Sequence, residues 1–498
     1  MDGKKRGYRK VVALSSALAV AFSFPNVAGS AQSGAARSSG KVNAISQSEK
    51  RQGAEAHPQL VAEFGGAMAG AQANYVTSVG KNIALQSGLS NARDDFTVTL
   101  LNSSVNNAFA IPGGYVYVTR QLVGLMNNEA ELAGVLGHEV AHVAARHSAK
   151  RQSAAQRNQV IGVLGSILSG VLLGNNALGE LGQKVFSQGS QLLTLQYSRS
   201  QETQADNLGI AYLGGAGYDP RAMATLLRSL ANQNALDARL QGSNSGAPEW
   251  ASTHPDPASR VRAAENRAGK ATGTTNRDAF LQSINGIAYD DDPKQGIVNG
   301  REFTHPDFRL YFQAPQGYYL VNGAREVSIS GQSGKGQLSS GPYSGDLAAY
   351  VRSAFATLGE GASQQLGNLN IQRTTVNGLP VAYAVARAQS QGSQMDVTVY
   401  AYEFSKTQAF HFLTITQAGN AGVFNPLYNS MRRISASEAS AVRPRKLVVT
   451  TVKAGDTVQA LANRMAYPEA KLERFLVLNG LSQSAALSPG QKVKVVTY

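Results

Sequence analysis

Apolar residues recur every three or four positions between about residues 129 and 146, which predicts an amphipathic helix. The residues of this apolar stripe are Leu132, Leu136, Val140 and Val143. Small residues, Gly134, Gly137, Ala141 and Ala145, flank the stripe and allow close packing by neighbouring elements. Asn127 and Asn128 can cap the first turn, while Arg146 and His147 suit the negative C-terminal end. We expect this helix to be mostly buried.

Alternating runs predict β-strands before this helix and far downstream of it. Residues 96–101 and 115–118 are rich in β-branched and aromatic side chains, with a Gly113-Gly114 turn before the second run. Residues 205–270 return to helical spacing. Between residues 301 and 440 the alternation of strands around one helical segment predicts an α+β domain with an antiparallel sheet, of unknown role. The predicted fold class is therefore α+β multidomain.

Residues 160–174 form an apolar stretch of fifteen positions without a charged residue. It is too short to cross a bilayer, which takes about 20 residues. A buried helix, a mobile lid over a cleft, and a patch that contacts membrane or a partner protein all fit its composition. Its glycines disfavour a rigid helix, so a mobile lid remains an alternative.

Candidate chemistry lies on the predicted helix 129–146. His138 and His142 are four residues apart, so they project from the same face, one turn from each other. This H-E-x-x-H spacing lets two imidazoles hold one zinc ion, with Glu139 beside them as a general base towards water. Two solvated histidines on a surface helix are the alternative, but buried imidazoles need a partner, and one zinc ion per chain would supply it.

A catalytic zinc takes three protein ligands and leaves a fourth position open. Glu202 and Asp206 are four apart on a predicted helix and provide the best downstream candidates. We expect Glu202 to complete the metal site and Asp206 to orient a ligand imidazole. A solvated acidic helix face is the alternative for this pair.

Composition and charge exclude some kinds of site and some kinds of binding partner. The 498-residue chain has no Cys, which excludes disulfides, thiolate zinc sites and a lipoprotein anchor at a cysteine. Its formal net charge of +14 favours anionic surfaces such as lipid headgroups or cell-wall polymers. No basic cluster interleaved with aromatic residues is present, so we expect no nucleic-acid partner.

The N-terminus predicts export. Residues 1–31 combine a basic start, an apolar run over 11–24 and small residues at 27–31, as in a cleaved secretory signal peptide. A retained N-terminal anchor is the alternative, although the apolar run is short for a span. Residues 32–55, rich in Ser, Gly, Ala and Gln, predict a flexible linker, as do residues 271–300.

These motifs together resemble the gluzincin metallopeptidases that include HtpX, BepA and the CAAX prenyl endoproteases. The resemblance covers roughly residues 56–270 and rests on H-E-V-A-H, on S-R-x-x-E-x-x-A-D at 198–206, on residues 107–118 and on S-T-H-P at 252–255. It implies a mainly helical metalloprotease domain with a small edge sheet. It also implies an exposed strand at Asn107, Ala108, Phe109 and Ala110 that binds an extended substrate, with an ordinary internal strand as the alternative.

Residues 447–498 resemble a LysM module, a small β-α-α-β fold. Gly455-Asp456, Asn479-Gly480 and Pro489-Gly490 supply its turns. The resemblance implies binding to N-acetylglucosamine-containing glycans, hence peptidoglycan, while a small α+β cap without a ligand is the alternative. We expect the module to tether the protein and to be dispensable for chemistry.

The expected function is that of a zinc metalloendopeptidase in the periplasm or cell envelope, acting on unfolded or misassembled envelope proteins. An envelope chaperone or assembly factor with gated or minor proteolysis is the alternative, and cell-wall hydrolysis by the zinc site is a weaker one. We expect His254 to enter the active site, either as a donor to the tetrahedral oxyanion or as a fourth zinc ligand that blocks water. A loop histidine without contact to the metal is the third interpretation.

Overall fold

A computed structural model of the chain describes residues 44–148, 197–241, 254, 257–324, 326–358, 369–390 and 393–498. The predicted signal peptide at 1–31 and the apolar segment at 160–174 lie outside the described residues. Among the helices that are described, none combines the length and the apolar character required to cross a membrane.

The N-terminal half is mainly helical and surrounds a small three-stranded sheet. Its helices are α1 (Gln47–Glu63), α2 (Ala71–Ala84), α3 (Ala92–Asp95), α4 (Arg120–Leu125), α5 (Glu129–Ala144), α6 (Arg199–Gly215), α7 (Ala222–Gln241), α8 (Pro257–Ala268) and α9 (Arg277–Ile284). Its strands are β1 (Thr97–Leu101), β2 (Ala108–Ile111) and β3 (Tyr115–Thr119). β3 lies in the centre, parallel to β1 and antiparallel to β2, which places β2 at an edge.

The predicted linker at 32–55 is wrong over its second part, because α1 begins at Gln47. The Ser46 side chain accepts a hydrogen bond from the Glu49 amide, and the Glu49 carboxylate accepts one from the Ser46 amide. This capping box starts the helix despite the polar composition. α1 then buries Leu60 and Phe64 against the sheet residues Phe109 and Tyr117. Residues 32–43 lie outside the described part of the chain.

The linker predicted over residues 271–300 is also wrong. Its first half forms α9, which packs against α2 and α5. Phe280, Leu281 and Ile284 recur at helical spacing and are at most 1% exposed, within the same core as α5. Periodicity was present in this segment, but Gly, Thr and Asp on both sides of it obscured the signal.

The middle of the chain forms the predicted α+β domain with antiparallel strands. Its strands are β5 (Ile297–Asn299), β6 (Glu302–His305), β7 (Leu310–Gln313), β8 (Tyr319–Asn322), β9 (Val327–Gly331), β10 (Gly334–Ser340), β11 (Gln372–Val376), β12 (Leu379–Ser390), β13 (Ser393–Ser405), β14 (Gln408–Gln417) and β15 (Arg432–Arg433). Seven strands follow the order β11-β12-β13-β14-β10-β9-β8, and four follow β15-β7-β6-β5. Its helices are α10 (Leu347–Ala356), α11 (Asn425–Ser430) and α12 (Ala436–Ala441), and α10 covers β12 and β13.

The C-terminal module has the predicted β-α-α-β order, with β16 (Arg445–Thr451), α13 (Val458–Asn463), α14 (Lys471–Asn479) and β17 (Lys492–Thr497). β4 (Ala288–Tyr289) joins β16 and β17 as a third antiparallel strand. Leu447, Val493 and Val495 lie in one continuous core with residues of α5. The C-terminal module thus packs against the helical N-terminal half, and its role as a tether that is dispensable for chemistry stays a prediction.

Candidate metal centre

Helix α5 presents both histidines of the H-E-x-x-H sequence from one buried face. Asn128 caps the helix by accepting a hydrogen bond from the Glu131 amide. The Nε2 atoms of His138 and His142 are 3.0 Å apart, and both side chains are at most 2% exposed. The helix reaches this depth because Gly209 of α6 passes close to it. A Cβ at Gly209 would lie 3.2 Å from the His138 amide nitrogen.

Two further donors converge on the same point. The Glu202 carboxylate of α6 lies 3.5 Å from His138 Nε2 and 3.4 Å from His142 Nε2. His254 Nδ1 lies 3.1 Å from His138 Nε2 and 3.0 Å from Glu202 Oε1. The donor atoms of these four buried residues all lie within 4.8 Å of one another.

The spacing of these donors fits a zinc ion. Ligands 2.0–2.1 Å from zinc in a tetrahedron lie roughly 3.3 Å from one another. The distances from His138 to His142 and His254, and from Glu202 to each of the three histidines, scatter around that value, from 3.0 to 3.5 Å. Burial lowers the pKa of His142, which keeps its imidazole neutral and able to bind a metal.

Glu139 points into the same space without joining the four donors. Its side chain is fully buried, and Oε1 lies 3.4 Å from His254 Nε2. Neither carboxylate oxygen accepts a hydrogen bond from any residue that the structure describes. Burial raises the pKa of Glu139, so its carboxylate has a higher proton affinity than in water. A buried carboxylate with two open acceptor positions is suited to receiving a proton from a water molecule.

Asp206 and Arg260 contact the metal-site residues from outside the donor set. Asp206 Oδ1 lies 2.9 Å from His138 Nδ1, on the ring edge away from the other donors. Arg260 of α8 donates from Nε to Asp206 at 2.8 Å and lies 2.6 Å from Glu202 Oε2. Burial alone would raise the pKa of Asp206, but hydrogen bonds from His138 and Arg260 outweigh it and lower this pKa. For Glu202 the burial effect is likewise outweighed, first by His254, and its pKa is lowered.

Comparison with protein families identifies the part of the chain that builds this centre. Residues 70–268 match the model of peptidase family M48, and these residues include all four donors, Glu139 and Arg260. Residues 70–268 are a family M48 peptidase domain. Residues 450–496 match the model of the LysM domain, so the chain joins an M48 domain to a LysM domain.

The curated relatives match less than half of this chain. The beta-barrel assembly-enhancing protease of Yersinia pestis is 34% identical over 199 residues, which are 39% of each chain. The protein of that name from Escherichia coli K12 is 33% identical over the same shares. The mitochondrial metalloendopeptidase OMA1 of Schizosaccharomyces pombe is 32% identical over 220 residues, 44% of this chain and 60% of that protein. The match thus spans about two fifths of the length of the bacterial relatives.

Two aromatic residues of the M48 centre have contacts that sequence reasoning missed. His147 Nδ1 lies 2.9 Å from His142 Nδ1, and its Nε2 lies 3.1 Å from Gln204 Oε1. The Tyr197 ring stacks on His142 with centroids 3.7 Å apart. His147 lies beyond the end of α5, because the helix ends at Ala144 and Arg146 then takes a positive φ of 54°. The stacked Tyr197 ring orients the plane of the His142 imidazole, and the contact with His147 occupies the His142 nitrogen that does not face the other donors.

The strand expected to bind substrate lies beside the centre, but its side chains are buried. β2 packs against α5, and Asn107, Ala108, Phe109 and Ala110 are at most 9% exposed. Phe109 points away towards α1, with its ring 5.0 Å from Phe64 and 4.6 Å from Tyr117. Since β2 pairs with β3 alone among the described strands, its free edge offers backbone groups rather than side chains. Any contact of this strand with an extended peptide would therefore be made by the backbone.

Arg260→Met is expected to weaken zinc binding by about 10- to 100-fold, the usual effect of losing a partner behind a metal ligand. The substitution keeps the aliphatic stem but leaves Asp206 and Glu202 without the guanidinium that lies between them. Competition with a zinc indicator would measure the change. Arg262→Met, an exposed position on the same helix, is the matched control. Equal affinities in the two variants would contradict the role assigned to Arg260.

Proposed function

We propose that this protein is a zinc-dependent metalloendopeptidase of the bacterial envelope. The observation that carries the proposal is the buried set of His138, His142 and Glu202 beside Glu139, whose carboxylate oxygens accept no hydrogen bond from described residues. The family M48 match over residues 70–268 supports the same reaction class.

The proposed roles follow from the positions of the side chains. His138, His142 and Glu202 would hold the zinc ion, which, when bound, supplies a Lewis acid that polarises the scissile carbonyl and acidifies water. Glu139 would take the proton from the attacking water and pass it to the leaving amine. Asp206 and Arg260 would hold the ligands in place, because they contact His138 and Glu202 from outside the donor set.

His254 gives a specific reason to consider gated activity. Its Nδ1 is as close to His138 and Glu202 as the other donors are, so it can act as a fourth ligand. A fourth protein ligand would occupy the position that a catalytic zinc keeps for water. The second candidate function, an envelope chaperone or assembly factor with gated proteolysis, draws its support from this contact.

Export, substrates and attachment belong to the same proposal. The relatives named beta-barrel assembly-enhancing proteases suggest misassembled or unfolded envelope proteins as substrates. The LysM domain suggests peptidoglycan as the attachment site. Residues 1–31 carry +4 of the formal net charge of +14, and the remaining +10 suits that anionic polymer. A periplasmic location after removal of residues 1–31 would bring substrate and polymer together.

Cleavage of an unfolded β-rich envelope polypeptide by the purified full chain tests this function. We expect fragments with the wild type and none after zinc is chelated. Suppression of substrate aggregation would be measured in parallel with Glu139→Gln. Undiminished suppression without any wild-type cleavage would favour the chaperone function and contradict the peptidase.

We expect the full chain to sediment with purified cell-wall sacculi. Because the LysM domain shares a core with the M48 domain, its deletion would expose apolar surface, and the intact chain is the better reagent. Soluble N-acetylglucosamine oligomers should release the protein, whereas Glu139→Gln should sediment like the wild type. Sedimentation that these oligomers leave unchanged would contradict glycan binding by the LysM domain.

A further inference from the structure

We propose that Lys494 of the LysM domain is a positioning residue for the helix that carries the metal-binding histidines. Its side chain comes from β17, far along the chain from α5, and is fully buried between the two domains. The part of this inference that concerns turnover rests on the proposed peptidase function, while the structural part does not.

Lys494 caps the helix that directly precedes α5. Its Nζ donates hydrogen bonds to the carbonyl oxygens of Gly124, Leu125 and Met126 at 2.9, 3.0 and 2.6 Å. These carbonyls lie at the C-terminal end of α4, where a helix leaves its last carbonyls unsatisfied and favours a cation. All three ammonium protons thus have acceptors on one turn of the M48 domain.

That turn leads straight into α5. Glu131 in the first turn of α5 accepts from the Asn127 amide at 2.7 Å and from Thr225 Oγ1 at 2.7 Å. Burial raises the pKa of Glu131, and the electrostatic attraction of Lys494 opposes this rise without cancelling it. Lys494 and Glu131 therefore hold the α4–α5 turn from both sides. His138 lies nine residues after Glu129, about 14 Å along the same rigid helix.

The LysM domain holds Lys494 just as firmly. The Asn479 side chain donates to the Lys494 carbonyl at 2.9 Å and accepts from the Lys494 amide at 2.7 Å. Gly124 also packs against the sheet that contains β17, since a Cβ there would lie 2.8 Å from the Tyr289 ring of β4 and 3.4 Å from Leu447 of β16. A shift of β17 would thus be transmitted to the turn rather than absorbed by a gap.

The choice of lysine argues for positioning rather than for adhesion alone. Burying an ammonium is costly, and an apolar side chain of similar volume would often stabilise such an interface more. A lysine with three defined acceptors instead fixes one register between β17 and the turn, because a shifted register would leave the ammonium unpaired. The contact therefore sets where α5 begins.

Lys494→Met tests this inference in the zinc-loaded full chain. We expect hydrogen exchange of the amides between Met126 and Leu136 to accelerate by at least about tenfold, the change expected when a few hydrogen bonds that close a local opening are lost. We also expect Lys494→Met to lower zinc affinity and kcat by roughly 10- to 100-fold and to change KM less. Exchange in β12–β14 of the α+β domain should stay unchanged.

Lys446→Met on the neighbouring strand β16 is the matched control, since Lys446 is exposed and the substitution makes the same change of charge. If Lys494→Met fails to fold, Asn479→Ala provides the test. It removes the two hydrogen bonds that hold the Lys494 backbone and keeps the Lys494 side chain. Unchanged exchange at residues 126–136, or a rise spread evenly over all domains, would overturn the inference. Hydrogen exchange and zinc affinity are measured without substrate turnover. A chain without peptidase activity would therefore refute the proposed function, while these two measurements would still test the role of Lys494.

Discussion

Glu139→Gln should retain zinc and lose nearly all hydrolysis of an unfolded polypeptide, by about 10²–10⁴-fold, the usual contribution of a general base. The amide has nearly the size of the carboxylate but cannot accept a proton from water. His138, His142 and Glu202 would keep their positions, because Glu139 contributes no atom to the donor set. Zinc content by elemental analysis and cleavage rates on the same preparations would measure both expectations.

Glu55→Gln is the control for that experiment. Glu55 is exposed on α1, and the substitution makes the same chemical change away from the centre. Its activity should equal that of the wild type. Full activity in Glu139→Gln would contradict a hydrolytic role for this carboxylate, and loss of zinc would show that it serves as a ligand.

His254→Ala should raise basal activity, by roughly tenfold if the site of the wild type is open about a tenth of the time. His254 Nδ1 lies among the zinc donors, 3.0 Å from Glu202 Oε1 and 3.1 Å from His138 Nε2. Removing a fourth donor frees a position for water while three donors still hold the metal. Initial rates and zinc content of the two proteins, without any activating partner, measure the effect.

The other outcomes for His254→Ala are equally informative. A fall of about 10²–10³-fold would assign His254 to stabilisation of the oxyanion instead. The third interpretation, a loop histidine without contact to this site, already disagrees with the structure, because His254 is fully buried and lies 3.4 Å from Glu139. An unchanged rate would remove both active roles.

The positions of the main donors could be predicted because helical spacing is local information. His138 with His142, and Glu202 with Asp206, are each four residues apart, and a helix fixes their common face whatever surrounds it. The start of α5 could also be predicted, since Asn128 and Glu131 make the expected cap. The antiparallel sheet of the middle domain follows from equally local alternation, whereas the β-α-α-β order of the C-terminal module was predicted from its resemblance to LysM.

What could not be predicted depends on packing between distant segments. His147 comes close to His142 only because the chain reverses at Arg146 after α5 ends. The sequence around Lys494 is typical of a lysine on the surface of a β-strand. Only the docking of β17 on α4 buries its side chain. The linker predictions failed over residues 46–55 and 271–300 because composition outweighed weak signals. These signals were a capping box at Ser46 in the first case and apolar spacing at Phe280 in the second.

Zinc titration of the metal-free full chain, followed by cleavage of an unfolded polypeptide, tests the central claim most directly. We expect no cleavage without metal, activity that rises in proportion to added zinc, and saturation at one zinc ion per chain. Cleavage that persists in the metal-free protein, or a chain that binds one zinc ion and still cleaves no polypeptide even as His254→Ala, would contradict it.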